Sequence, residues 1–208
     1  MLSFLFLAFF KLASASSWPV VTLPDGSISA RLMKSHNGHP FLGFQGIPYA
    51  QPPVGTLRWL PPKPTLGWNG TLDGSVSPPM CVQGVPDVDT KGGKSQKPGL
   101  MMGYEDCLIV NVYTSVLESS GDIEYLPVLV WLHGGGLASG EGGMYNPNFL
   151  IEYNVVVVTV NYRLGPWGEL SLDSSRISGN QGLRDQILAL EWVQKNIHYF
   201  GGDATMVQ

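Results

Sequence analysis

The sequence predicts an α/β fold, and three observations carry that prediction. Residues 107–113, 126–132 and 155–160 are apolar runs with little alternation. Strands of that kind are covered on both faces, as in the central sheet of an α/β protein. A glycine-rich stretch, residues 133–140, follows directly on the second run. Beyond the third run, Leu183, Ile187, Leu190, Val193 and Ile197 recur at helical spacing. They predict one apolar stripe of a helix that stops at Gly201-Gly202. Strand, glycine loop, strand, helix is α/β order.

The elements before these runs are read in turn. Residues 1–17 read as a cleaved signal peptide, which leaves residues 18–208 as the N-terminal part of one domain. Leu2 to Phe10 is apolar except for Ser3, and Ala13-Ser14-Ala15 offers small residues at the −3 and −1 positions of a cleavage site. The run is shorter than the roughly 20 apolar residues of a membrane span. No Lys or Arg precedes it, Lys11 coming after, so a buried N-terminal helix is the plainer alternative. Residues 20–23 and 28–33 flank Pro24-Asp25-Gly26-Ser27 and predict a β-hairpin with an Asp-Gly turn. Residues 41–68, with several prolines and few apolar runs, predict extended, ordered loop. Asn69-Gly70-Thr71 is the one glycosylation sequon, in turn-like sequence, so Asn69 is a candidate glycan site. Residues 82–104 read as a surface excursion between the only two cysteines, Cys81 and Cys107. An oxidising compartment favours joining these, worth about 3–4 kcal/mol in the chain-entropy model; two separate thiols are the alternative.

Composition sets limits on function. The 208 residues are 44% hydrophobic and 13% charged, with net charge −4 and no cluster of Lys or Arg. Nucleic acid and anionic membrane are therefore excluded as partners recognised by charge. The 26 glycines and 16 prolines are scattered as turn residues, and no repeat is present.

Chemistry is concentrated in His133-Gly134-Gly135-Gly136-Leu137-Ala138-Ser139-Gly140. Successive glycines after a strand let the backbone turn tightly and leave N–H groups bare. Two such donors hold the negative oxygen that forms when an ester carbonyl is attacked. Dinucleotide binding needs a helix at once and an acidic residue ending the next strand, but residues 141–148 read as loop and the next strand ends in Asn161-Tyr162-Arg163. A phosphate-binding loop lacks its Gly-Lys-Ser/Thr. A plain glycine turn remains the bland reading.

The neighbouring motifs bear on that choice. Gly43-Phe-Gln-Gly-Ile-Pro-Tyr-Ala-Gln-Pro-Pro-Val-Gly-Thr-Leu-Arg58-Trp59 and Glu105-Asp-Cys-Leu-Ile-Val-Asn-Val-Tyr113 resemble the signatures of type-B carboxylesterases and cholinesterases, insect-type esterases among them. His133-Gly-Gly-Gly136, Asn161-Tyr-Arg-Leu-Gly165, Gly179-Asn-Gln-Gly-Leu-Arg-Asp-Gln186 and Phe200-Gly-Gly-Asp203 continue the resemblance in order. It implies an α/β-hydrolase fold with a mostly parallel central sheet, of which this chain is the N-terminal part. It implies secretion and hydrolysis of a small carboxylic ester through an acyl-serine, with no metal or organic cofactor and no membrane span. Gly135 and Gly136 match the oxyanion amides, Gly134 supports their loop, and Cys81 and Cys107 match a disulfide. Arg58 with Glu105, and Arg163 with Asp185, match structural ion pairs. His133, His36, His39 and His198 match no catalytic base.

Two departures are expected to reshape the pocket wall: Leu137 where an aromatic is usual, and Glu169 where an apolar residue follows Gly168. No Trp lies between Cys81 and Cys107, which argues against a quaternary ammonium substrate. The family continues past Asp203 into a strand and Gly-x-Ser-x-Gly, whereas this chain ends at Gln208. The expectation is a chain inactive alone, with an open sheet edge. A non-catalytic cholinesterase-like binding or adhesion protein, or a truncated product, is the rival reading.

Overall fold

A computed structural model describes residues 18–84, 100–117, 124–172 and 177–208. The signal-peptide reading and most of the excursion after Gly84 lie outside the described residues.

The hairpin forms with its turn one residue earlier than the Asp-Gly reading. Strand β1 (Val20–Leu23) pairs with β2 (Gly26–Ser29), Leu23 opposite Gly26, so Pro24-Asp25 is the turn. Gly26 is still required: it has φ 145°, and a Cβ there would come within 2.5 Å of the Trp68 indole. The second arm is not continuous to Met33. It breaks at Ala30, so that β2 pairs with β5 (Thr71–Asp73) while β3 (Arg31–Lys34) joins the main sheet.

The loop expected over residues 41–68 is corrected in its first part. β4 (Pro40–Pro48) is a nine-residue strand, paired with β3 on one side and β8 (Ile109–Thr114) on the other. Gly43, Gln45 and Gly46 interrupt its apolar residues and hide the strand pattern. Phe41, Phe44 and Ile47 are nonetheless buried. The register shifts between Phe44 and Ile47, where Gly46, at φ 79°, donates its N–H to Asn111 Oδ1 at 3.0 Å. Such a bulge leaves one residue unpaired and bends the strand.

The main sheet runs β11-β9-β10-β8-β4-β3, with β9 (Leu126–Leu132), β10 (Val156–Val160) and β11 (Gly202–Val207). The α/β class holds, but among the described residues the sheet is mixed. β9 is parallel to both β10 and β11, and the remaining ladders are antiparallel. Parallel neighbours need long crossovers, and only the connections around the glycine loop and the last helix are of that kind. β8 and β10 are buried at every residue, as continuous apolar runs predict. In β9 only Val128 is buried, and Trp131 is 42% exposed. The edge of β9 is not open: β11 covers it.

Helix α1 (Gly165–Glu169) leads to α2 (Gln181–Asn196), which runs through a 3-10 turn to Gly201 at φ 76°. The helix ends where expected, but the predicted stripe is buried only at Val193 and Ile197. Leu183, Ile187 and Leu190 are exposed, while Gln181, Asp185, Ala189, Trp192, Val193 and Asn196 are buried. Periodicity shows which side chains share a face, not which face meets the sheet. Here polar residues occupy the buried face because bonds hold them there, as for Asp185 and Asn196.

Candidate active site

The glycine loop starts where β9 ends. His133 is 3% exposed, its ring stacked on Tyr162 with centroids 4.3 Å apart. Tyr162 donates its hydroxyl to the His133 carbonyl, and His133 Nδ1 lies 2.9 Å from the Gly134 carbonyl. Burial holds this imidazole below its ordinary value, outweighing the bond to Gly134 and the charge of Glu141. Burial thus favours its neutral form.

The loop then folds on itself. Ala138 and Ser139 donate their N–H groups to the Gly135 carbonyl at 3.1 and 3.2 Å. Gly135 has φ 120°, and a Cβ there would fall 1.8 Å from the Ser139 carbonyl oxygen, so only glycine fits. Gly136 and Leu137 are both left-handed, at φ 62° and 57°. For Leu137 that conformation is strained; it is held by Gly165, whose N–H donates to the Leu137 carbonyl at 2.7 Å.

The far end is clamped. Gln83, on β6 (Gln83–Gly84), accepts from the Gly140 N–H and donates to the Gly140 carbonyl, both at 2.9 Å. Asn161 accepts from the Gly142 N–H at 2.7 Å and donates to the Pro79 carbonyl at 2.9 Å. Between these anchors the N–H groups of Gly134, Gly135 and Gly136 meet no acceptor among the described residues. Gly134 and Gly135 border a cleft of about 500 Å³ whose other walls include Met80, Met102, Met144 and Tyr145, and Gly136 follows them in the chain. Unpaired backbone donors beside an apolar cleft are the arrangement that can stabilise a developing oxyanion.

The other residues singled out in the sequence brace this site. Cys81 and Cys107 are joined in a disulfide, Cα atoms 5.1 Å apart, two residues from Gln83. β6 pairs with β7 (Met101–Met102) across the base of the excursion. Arg58 Nη2 donates to Glu105 Oε2 at 2.8 Å, and Trp167 Nε1 donates to Oε1 at 2.9 Å. Burial pushes the Glu105 carboxyl up, but these bonds and the Arg58 charge prevail and hold it below its usual range. Arg163 grips Asp185 through Nη2 at 2.6 Å and Nε at 2.8 Å, both residues buried. Burial raises the Asp185 carboxyl, only partly offset by Arg163.

Leu137 and Glu169, expected in the pocket wall, do not line the cleft. Glu169 turns to α2 instead: a Cβ on Gly182 would come within 2.9 Å of its Oε1. His36 stacks on Phe149, and the His198 ring lies tilted against that of Tyr199. Asn69 is exposed.

Sequence reasoning missed Gln83 and the roles of Asn161 and Tyr162. The last two had a signal, being polar residues directly after a fully apolar strand. Gln83 had none.

Residues 17–208 match the carboxylesterase family model. The chain is 40% identical to "Esterase E4" of Myzus persicae over 98% of its own length and 36% of that protein's. It is 39% identical to "Juvenile hormone esterase" of Tribolium castaneum, over 94% of this chain and 32% of that one. To "Cocaine esterase" of Oryctolagus cuniculus it is 45% identical, over 77% of this chain and 30% of that one. The chain spans about a third of the length of these curated relatives.

Proposed function

This chain belongs to the carboxylesterase family and has its α/β-hydrolase fold, and on that premise we propose that its glycine loop is the oxyanion hole of a carboxylic ester hydrolase. Gly135 and Gly136 are the donors, and Gly134 holds the loop. The observation that carries this reading is the run of unpaired N–H groups at Gly134, Gly135 and Gly136, the first two of these residues bordering the cleft. In the transition state the ester carbonyl oxygen becomes an alkoxide, and each donor aimed at it contributes roughly 3–4 kcal/mol. The substrate is a small ester with apolar groups, which Met80, Met102 and Met144 accommodate by their unbranched, polarizable side chains. The reaction runs through an acyl-serine: a serine attacks with a histidine as base, and an acidic residue orients that base. These three residues fall outside the motifs of this chain, which supplies the cradle. We further propose that the protein is extracellular. The Cys81–Cys107 disulfide and the exposed Asn69 sequon support that reading. No described helix is long and apolar enough to cross a membrane.

The test is a chimera in which residues 18–208 replace the matching segment of "Esterase E4". It is expected to hydrolyse p-nitrophenyl acetate. Gly136→Ala keeps the N–H but disfavours the φ of 62° that aims it, and is expected to lower kcat at least tenfold with KM little changed, because a turned donor costs transition-state binding. Space around Gly136 is open to a methyl group, so the fold bears the change at a cost of about 1 kcal/mol for the left-handed backbone. A kcat within a factor of three of the parent chimera would refute the assignment of the donors. A soluble, folded chimera without turnover would favour the binding-protein reading.

A further inference from the structure

The cleft beside the glycine loop is uncharged but for one group. Among the described residues that border it, Glu141 alone carries a charge. It stands between two clamped glycines: Gln83 holds both the N–H and the carbonyl of Gly140, and Asn161 holds the Gly142 N–H. Its backbone is extended, at φ −161° and ψ 150°, and the residue is half-buried. The carboxylate therefore extends from a fixed base. No hydrogen bond or ion pair joins it to a described residue. Gln83, the one amide side chain among the lining residues, spends its N–H groups on the Cys81 and Gly140 carbonyls. The charge of Glu141 is nevertheless felt at the His133 ring, at the root of the glycine loop, where it favours the protonated form.

Whatever enters the cleft takes water from this carboxylate, and charge interactions strengthen as water leaves. A neutral ester offers nothing in return, so the carboxylate loses hydration without gaining a partner. An ester bearing its own carboxylate meets like charge. A protonated amine neutralises the group and donates to it through a charge-assisted hydrogen bond. It also offsets the repulsion between Glu141 and the negative oxygen forming at the glycine loop. The methionines and Tyr145 on the other walls accept the amine's alkyl groups. We propose that Glu141 sets the charge preference of this cleft, which selects esters carrying a protonated amine over neutral and anionic esters of the same shape. The proposal rests on the esterase reading of the cleft and adds the substrate class. The cation is one that donates a hydrogen bond, unlike the quaternary ammonium that the missing tryptophan argues against.

The test uses the chimera with esters matched in shape, their hydrolysis followed by acid release at neutral pH. Dimethylaminoethyl acetate, protonated under these conditions, is compared with isopentyl acetate, which places the charge on the alcohol side. Ethyl dimethylaminopropanoate is compared with ethyl isocaproate, which places it on the acyl side, and monoethyl succinate is the anionic counterpart. In at least one pair kcat/KM is expected to favour the amine by about tenfold, the worth of one ion pair in a partly desolvated cleft. Monoethyl succinate should be the poorest substrate. Glu141→Gln keeps the shape and removes the charge, and should bring the ratio of amine to neutral ester close to one. Glu141→Lys should reverse the order in favour of monoethyl succinate. Added salt should shrink the ratio in the parent chimera, a reading that needs no variant. Hydrolysis of isopentyl acetate with a ratio near one in both pairs, or with a ratio that Glu141→Gln leaves in place, overturns the proposal and spares the esterase reading. If the folded chimera hydrolyses none of the esters, the esterase reading fails. The same ratios are then read from binding, by saturation-transfer NMR of the intact esters, and equal binding within each pair overturns the charge preference too.

Discussion

At Gly140 and Gly142 the glycine loop gives its N–H groups to Gln83 and Asn161, whereas at Gly134, Gly135 and Gly136 the same backbone offers its N–H groups to no described acceptor. The two stretches have nearly the same composition and opposite bonding. The difference follows from the proposed task. A donor that must meet charge in a transition state cannot be satisfied beforehand, so its position must be fixed by its neighbours. The clamped end, the stacked His133 and the Gly165 bond to Leu137 together do that fixing.

The comparison breaks most severely at Gly140. A Cβ there, at φ 124°, would meet His133 Nδ1 at 2.3 Å and the Gly134 carbonyl at 2.7 Å. Gly140→Ala is expected to cost about 3 kcal/mol, through backbone strain and overpacking together. Urea denaturation reads this directly, and a midpoint equal to the parent's would show that the loop end is not clamped.

Next in size is Gln83→Leu. It leaves the Gly140 N–H and carbonyl without their partner, for an expected loss of about 2 kcal/mol. If the clamp positions the donors, the chimera also loses kcat. Loss of stability at unchanged kcat would separate the two halves of the loop and refute the coupling.

The smallest effect expected is on pH dependence. Burial keeps the folded His133 below its ordinary value of 6.5, so the unfolded chain binds a proton that the folded one refuses. Its contribution is absent above that value, and stability falls as pH drops through it. The fall should be shallower in His133→Gln, measured by denaturation midpoints between pH 7.5 and 5. Parallel profiles would mean that His133 is protonated without penalty.

What could be read in the sequence depended on how far each residue's fate was local. β8 and β10 announce themselves because their side chains, Asn111 apart, are apolar, aromatic or β-branched, and every one is buried. β4 does not, because its glycines and the bulge near Gly46 break the pattern that marks a strand. The triple glycine pointed to bare donors because backbone freedom is a property of the residues themselves. Gln83 could not be found that way. Its partner lies 57 residues away, and only the fold brings them together. The α2 stripe held at Val193 and Ile197 and failed at Leu183, Ile187 and Leu190 for the same reason: an ion pair and a buried amide bear on which side of the helix faces inward, and periodicity does not record them.

The β6–β7 ladder has a consequence for how this chain tolerates change. Gln83 pairs with Met102 and Gly84 with Met101, so the excursion leaves and rejoins the body at one pinned doorway. Lengthening a loop between fixed ends costs only about 0.6 kcal/mol per doubling. The ladder, whose Gln83 and Met102 line the cleft, can therefore hold its place and the clamp on Gly140 whatever the length of chain inserted between Gly84 and Leu100.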